Sequence, residues 1–165
     1  MILRTAKVML VAAVALFYTL VVFNNITDYG TNYQFVHHIL LMDTTFPSNH
    51  GMWRAIHSPM ADTAFYGAII AGEALTALLG WIGAVHLLWA IRQPASGFNA
   101  SKRWAIAALT LGMLLCLVAF ISVGGEWFLM WQSMLWNGQE VAFHMFASLG
   151  IVLLLLVQPE TENQT

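Results

Sequence analysis

The chain has 165 residues, of which 59% are hydrophobic and 8% are charged, and its net charge is −2. Soluble domains carry about 25% charged residues. This composition therefore excludes an ordinary soluble protein, because too few charges are present to cover a water-exposed surface. The small net charge predicts no nucleic-acid partner. The single cysteine, Cys116, excludes an internal disulfide and any CxxC redox or metal motif.

Four apolar stretches follow one another along the chain. About 20 mostly apolar helical residues cross a hydrocarbon core of about 30 Å. We therefore predict one integral membrane domain over residues 1–165, an all-α four-helix transmembrane bundle. The predicted spans are about 4–24, 62–91, 103–123 and 140–157. The first stretch ends in Phe23, Asn24 and Asn25 without a small-residue cleavage pattern, so we interpret it as an uncleaved span.

The basic residues predict the orientation of these spans. Five of the six lie at one set of helix ends, namely Arg4, Lys7, Arg92, Lys102 and Arg103. Basic residues are retained on the cytoplasmic side, so we expect a multi-pass protein with both termini inside. Only Arg54 lies elsewhere. The polar tail from Glu160 is predicted to fray.

Two segments lie at the predicted outer side. The first, residues 25–62, has apolar positions 35, 36, 39, 40 and 42, which suit a short amphipathic interfacial helix. Asn24, Asn25, Asp28 and Gly30 are predicted to end the first span before it. The second is rich in tryptophan, at Trp127, Trp131 and Trp136. We expect the third helix to bend at Gly124 and Gly125 and this aromatic segment to lie in the interface.

Glu73 is the most informative polar residue, because it lies inside the second span. A carboxylate at that depth is costly unless it is neutral, paired or facing water. One interpretation is structural, with Glu73 protonated or bonded to Trp, Ser or His neighbours. The other is a metal, proton-handling or quinone site; the metal candidates are Glu73, Glu126, Glu140 and His144. Carboxylate with imidazole suits first-row transition metals, and Glu140 and His144 share one helix face.

Histidines give a second set of candidates. Four of them, His37, His38, His50 and His57, lie in the first outer segment and could bind copper or zinc. We favour hydrogen-bonded interfacial histidines instead. Haem binding between His144 and His57 stays open, so the cofactor candidates are Glu73, His144 and His57. The sequence requires no cofactor, and the absence of a phosphate loop, nucleophile elbow or HExxH motif disfavours an enzyme.

Long segments rich in Trp and Met carry a family resemblance. They are Met42-Asp43-Thr44-Thr45-Phe46-Pro47, Trp53-Arg54-Ala55-Ile56, Gly124-Gly125-Glu126-Trp127-Phe128, Met130-Trp131-Gln132-Ser133 and Trp136-Asn137-Gly138-Gln139. In these the chain resembles a bacterial family of predicted small integral membrane proteins of unknown function. The resemblance covers nearly the whole length. It implies a bacterial inner-membrane location and supplies no activity and no site residues.

Three functions follow as hypotheses. The first is a non-enzymatic accessory or assembly component acting through its outer face. Its partners would be the lipid bilayer and either another protein or a second copy, met through Trp127, Trp131 and Trp136. The second is a metal-, haem- or quinone-binding subunit of a membrane redox system. The third is a small oligomeric transporter or channel, which the lack of an internal repeat disfavours.

Overall fold

A computed structural model describes residues 1–161. Within them the chain forms helices and loops and no strand, which confirms the all-α prediction. The α-helices are α1 (Ile2–Thr27), α2 (Tyr29–Leu41), α3 (Pro59–Trp89), α4 (Ala95–Ala100), α5 (Arg103–Leu114) and α6 (Gln139–Val157). A π-helix over Leu115–Trp127 continues α5, and 3₁₀ turns occupy Met52–Arg54 and Met130–Gln132.

Four of the helical segments are long and apolar enough to cross a membrane. They are Ile2–Thr27, Pro59–Trp89, Ala95–Trp127 and Gln139–Val157. The protein is therefore a multi-pass integral membrane protein built on four candidate spans. The short helix predicted between the first two spans is α2, which buries Val36 and Leu40.

Local sequence explains where α2 ends and α3 begins. Met42 adopts the left-handed conformation (φ 55°) and ends α2. Ser58 precedes α3, and its hydroxyl accepts a hydrogen bond from the Ala61 amide at 3.3 Å. Pro59 takes the first helical position, where its missing N–H costs nothing. The long second span thus begins with two strong start signals.

α3 lies at the centre of the bundle and approaches α1 and α5 closely. A Cβ atom placed on Gly80 would lie 2.9 Å from Cβ of Ala15, and one on Gly83 would lie 2.5 Å from the amide nitrogen of Ala105. Small residues allow such backbone approach in membrane bundles. Gly67, nearer the start of α3, has open space around it instead.

The third span departs from the sequence prediction of a bend at two glycines. The helix continues in π geometry through Gly124 and Gly125 to Trp127. The chain turns instead at Leu129, which has φ 55°. The Gln139 side chain lies against Gly125, where a Cβ atom would clash with it. The glycine therefore makes room for the start of α6.

The two ends of the bundle are built from different segments and contain different buried clusters. We call residues 28–58 and 128–138 the loop end, and residues 1–7, 90–102 and 158–161 the terminal end. One buried cluster lies toward the terminal end and includes Val11, Leu87, Phe98, Leu109 and Leu156. A second lies toward the loop end and includes Val36, Leu40, Met42, Tyr66 and Phe128.

Candidate functional site

Glu73 lies in the middle of α3, is buried, and has one side-chain hydrogen bond within the described part of the chain. The amide of Asn25 donates to its Oε2 atom at 2.6 Å. The Tyr66 hydroxyl donates to the backbone carbonyl of Asn25 at 2.9 Å and so helps to hold that residue in place. Of the four predicted helix breakers, Asp28 is where α1 ends, whereas Asn24 and Asn25 lie inside α1 and Gly30 lies inside α2. This continuation of α1 carries the Asn25 amide to Glu73.

A cavity of about 380 Å³ lies beside Glu73, and we call it the Glu73 cavity. Its walls come from α1, α3, the π-helix and α6, while α2 and the segment before α6 close its loop-end side. Four aromatic rings line it, those of Phe17, Tyr18, Phe35 and Phe120. Ligand pockets in proteins usually span about 300–1,000 Å³ and combine apolar walls with a few polar groups. Size and lining both fit that description.

The Glu73 cavity opens on the side of the bundle. Phe17 on α1 and Val141 on α6 both line it, and they are 40% and 67% exposed. Toward the terminal end the same two helices share one buried cluster, which contains Val11 and Leu156. The gap between α1 and α6 is therefore confined to the half nearer the loop end, and it faces the hydrocarbon of a bilayer.

The loop-end side of the cavity is fixed by aromatic packing. A Cβ atom on Gly138 would lie 2.8 Å from Cζ of Phe35, so the ring rests on the glycine. Phe35 also meets Trp136 edge to face at 6.3 Å between ring centroids. The His38 ring stacks on the Trp136 ring, with 4.8 Å between the ring centroids. Its Nδ1 atom lies 2.7 Å from Oδ2 of Asp43. α2 thus acts as a lid held at several points.

The two loop segments are bonded to each other, and we call residues 42–58 together with 126–136 the loop platform. Arg54 donates to the carbonyl of Trp127 at 2.9 Å, and its guanidinium lies 5.6 and 5.5 Å from the rings of Trp53 and Trp127. Cations over aromatic rings are stabilising. The Thr44 hydroxyl donates to the Ser133 hydroxyl at 2.8 Å. The platform is therefore one packed unit.

The predicted metal candidates do not form one group. Glu73 is buried, whereas Glu126, Glu140 and His144 are exposed. Over residues 1–161, no cluster of three or more His, Cys, Asp and Glu side chains could hold a metal ion. His57, the other predicted haem ligand, is also exposed. Among the candidates that the sequence suggests, Glu73 lines a cavity in the described part of the chain, and Asn25 is its hydrogen-bond partner.

His37 belongs to a separate buried group under α2. Its Nδ1 atom lies 2.7 Å from Oδ2 of Asp62, and the Tyr33 hydroxyl donates to the same oxygen at 3.4 Å. Loss of solvation first, and the Asp62 charge second, raise the pKa of Tyr33. His37 and His38 thus each pair with a carboxylate, which matches the favoured interpretation of the histidines. The bonds of His37 and Tyr33 to Asp62 fasten α2 to α3.

Charged residues gather at the terminal end in a group we call the clasp, formed by Arg4, Lys7, Lys102 and Glu160. Lys7 is fully buried and donates to Glu160 at 2.6 Å and to the carbonyl of Gln158 at 2.9 Å. Lys102 donates to that same carbonyl at 2.7 Å, and Arg4 lies 3.4 Å from Glu160. The predicted fraying is therefore wrong at Glu160; residues 162–165 lie outside the described residues.

The electrostatics of the clasp follow from its geometry. Burial acts to raise the pKa of Glu160, but the hydrogen bond and charge of Lys7, with Arg4 and Lys102, outweigh it and lower the pKa. Lys7 and Lys102 both donate to the Gln158 carbonyl at the end of α6. The last carbonyls of a helix attract cations. The short helix α4 lies at this end, and its Phe98 lies 4.8 Å from the Arg4 guanidinium.

Several cavity residues had no sequence signal of their own. Asn25 read as a helix breaker, and Tyr18 and Phe35 read as ordinary apolar positions. Asn137 read as part of an Asn-Gly turn. Each becomes part of the site only because helices distant in sequence meet there. A buried carboxyl group in a span was the single usable signal, since it must find a partner nearby.

These observations define the class, a small multi-pass integral membrane protein with a lateral cavity and a packed loop platform. The chain belongs to the DUF2165 family, described as predicted small integral membrane proteins, whose model matches residues 3–159. Comparison with curated proteins and with solved structures gives no match.

Proposed function

We propose that this protein is a non-enzymatic accessory or assembly component of the bacterial inner membrane. It acts through the loop platform on the outer side, and both termini are cytoplasmic. The basic residues near the terminal end support this orientation. The observation that carries the proposal is a packed, internally bonded platform with two exposed apolar side chains at its tip.

The tip consists of Met134 and Leu135, which are 100% and 74% exposed. Their backbone is nonetheless fixed. The Ser133 hydroxyl accepts hydrogen bonds from the amides of Leu135 at 3.3 Å and Trp136 at 2.9 Å. Ser133 is itself bonded to Thr44 on the other loop segment. Apolar side chains held rigidly in the open bind a partner with little loss of conformational entropy.

The charge of the loop end indicates which kind of partner fits. Four exposed carboxylates lie in the loop end or within two residues of it in sequence, namely Asp28, Asp43, Glu126 and Glu140. The single arginine there, Arg54, is occupied by backbone carbonyls and tryptophan rings. An acidic surface repels the anionic lipids of a bilayer. The tip therefore suits a protein partner with an apolar patch bordered by Lys and Arg.

A photo-cross-linking amino acid at position 134 tests the proposal in intact membranes. The expected product is one discrete protein adduct, identified by mass spectrometry, that is lost when Glu126→Gln and Glu140→Gln are combined. The matched control is the same probe at position 114, an exposed leucine inside the third span. Adducts with lipid alone, or a protein adduct indifferent to the two carboxylates, would contradict the proposal. An adduct with a second copy of this chain would mean that the partner is the protein itself.

A further inference from the structure

We propose that the Glu73 cavity is a binding site for a quinone or quinol that enters sideways from the bilayer between α1 and α6. This site is separate from the loop platform, and it stands whether or not the platform binds a partner. The ligand is lipid-soluble and has a neutral ring that carries two oxygen groups.

The shape of the cavity favours a flat ring. Aromatic side chains from three different elements line it, including Phe17, Phe35 and Phe120. Aromatic rings prefer offset stacking or edge-to-face contact with another flat ring. The volume of about 380 Å³ exceeds what a few water molecules occupy. An apolar cavity of this size, open to hydrocarbon, accepts a ring and the first part of an apolar tail.

Four residues with polar side-chain groups line the cavity, namely Tyr18, Glu73, Cys116 and Asn137, and two of them offer a carboxyl group and a carboxamide. Glu73 comes from α3, and Asn137 comes from the segment before α6. A carboxyl group offers two oxygens, and the hydrogen bond from Asn25 uses only Oε2. Oε1 is therefore left for a ligand. A quinone carbonyl or quinol hydroxyl would bond to the Glu73 carboxyl group, and the second ring oxygen would meet the carboxamide of Asn137.

The charges of the walls argue against an anionic lipid as the occupant. The cavity is lined by one carboxyl group and by no Lys, Arg or His side chain. Five of the six basic residues lie close to the terminal end. A fatty acid or phospholipid head would bring a second negative group beside Glu73 without a cation to offset it. A neutral head group bearing oxygens avoids that cost.

Photoaffinity labelling with an azido-quinone carrying a ten-carbon tail tests the assignment on the purified full chain in lipid nanodiscs. We expect labelled peptides from residues 17–21, 115–120 or 141–145, and competition by decylubiquinone. Glu73→Leu removes the carboxyl group, and Ala142→Phe fills the cavity from α6. Each should weaken labelling by about tenfold, the equivalent of one lost hydrogen bond or a blocked site.

The controls separate the site from general effects. Glu126→Leu removes an exposed carboxylate away from the cavity and should leave labelling unchanged. Glu73→Gln keeps an acceptor for Asn25 and a donor for the ligand, so it should lose less than about threefold. If Glu73→Leu does not fold, as judged by circular dichroism and gel filtration, Ala142→Phe and Glu73→Gln still decide the question.

Three results would overturn the assignment. Palmitate that competes as well as decylubiquinone would make the cavity an acyl-chain site. A cationic amphiphile that competes better than the quinone would mean an ionised Glu73 and a charged ligand. Labelling spread evenly over the lipid-facing helices, unaffected by Ala142→Phe, would mean that the quinone only partitions into the surrounding lipid.

Discussion

The terminal end and the half of the bundle nearer the loops handle buried polar groups in opposite ways. At the terminal end, Lys7 and Lys102 are buried, and each finds a carboxylate or carbonyl within 2.9 Å. Near the loops, Glu73 is buried with one hydrogen bond and an adjacent cavity. Satisfied charges stabilise a fold, whereas unused hydrogen-bonding capacity beside empty space indicates binding. We therefore expect variants of the buried charges at the terminal end to lower stability, and variants of Glu73 to affect ligand binding more than stability.

The largest expected effect is at the clasp. Glu160→Gln leaves the buried ammonium of Lys7 without its counter-charge, and breaking a buried pair costs about 3–5 kcal/mol. Because Glu160 is partly accessible, we expect a loss near 3 kcal/mol in the free energy of unfolding, measured by denaturant titration in detergent. Glu140→Gln, at an exposed carboxylate of the other end, should change it by less than about 0.5 kcal/mol. Equal losses from both variants would remove the contrast between the ends.

The clasp should also respond to acid. The pKa of Glu160 is lowered in the folded state, so its contribution is complete above the ordinary glutamate pKa of about 4.3 and is lost as pH falls through the folded value. The stability difference between wild type and Glu160→Gln should be constant above about pH 5 and shrink below about pH 4. Unfolding measured across that range tests this. A difference that grows on acidification would show that the pairing is misassigned.

Arg54, at the loop end, is expected to make the next largest contribution to the free energy of unfolding. Arg54→Ala removes a hydrogen bond to the Trp127 carbonyl and two cation–ring contacts, so we expect a loss of about 2 kcal/mol. Arg54→Lys should recover less than half, because an ammonium cannot reproduce the planar guanidinium contacts. Thermal unfolding of the wild type, Arg54→Lys and Arg54→Ala ranks their stabilities. Arg103→Ala, which touches only one ring, is the matched control, and an equal loss there would argue against a special role for Arg54.

Glu73 should matter little for stability. Gln at this position still accepts a hydrogen bond from Asn25, so Glu73→Gln should change the free energy of unfolding by less than about 1 kcal/mol. Denaturant titration alongside Glu160→Gln measures both on one scale. A loss as large as at the clasp would show that Glu73 is chiefly structural, and the contrast between the two ends would fail.

The smallest perturbation tests which end faces outward. Ser48→Cys and Ser96→Cys both replace exposed serines, one at the loop end and one at the terminal end. Neither should change stability by more than about 0.5 kcal/mol. A membrane-impermeant thiol reagent added to intact cells should label position 48 and spare position 96. The reverse pattern would place the loop platform in the cytoplasm.

Sequence alone sufficed for the parts of the fold that depend on local pattern. Apolar length predicted four spans, and the spacing of Val36 and Leu40 predicted α2. It also singled out Glu73, because burial of a carboxyl group is costly wherever it occurs. The predictions that were wrong concern residues with contacts far away in the sequence. Asn25 lies within α1 and bonds to Glu73, 48 positions away, and Glu160 bonds to Lys7, 153 positions away.

The grouping of Glu73 with Glu126, Glu140 and His144 could not be judged from spacing. Glu126 lies on the π-helix, which contacts α3, whereas Glu140 and His144 lie on α6, and all three residues are exposed. Which way a residue at a helix end points depends on how the helices rotate against each other. That rotation is set by packing, such as the close approach of Gly83 to Ala105, and no local pattern encodes it.

Hydrogen–deuterium exchange with and without decylubiquinone tests the central contrast most directly. The ligand should slow exchange in residues 17–25 and 137–145, which surround the Glu73 cavity, and leave residues 1–7 and 158–160 unchanged. Ala142→Phe protein should show no ligand effect. Slowing that is spread evenly over all four spans, or strongest at the clasp, would contradict the account.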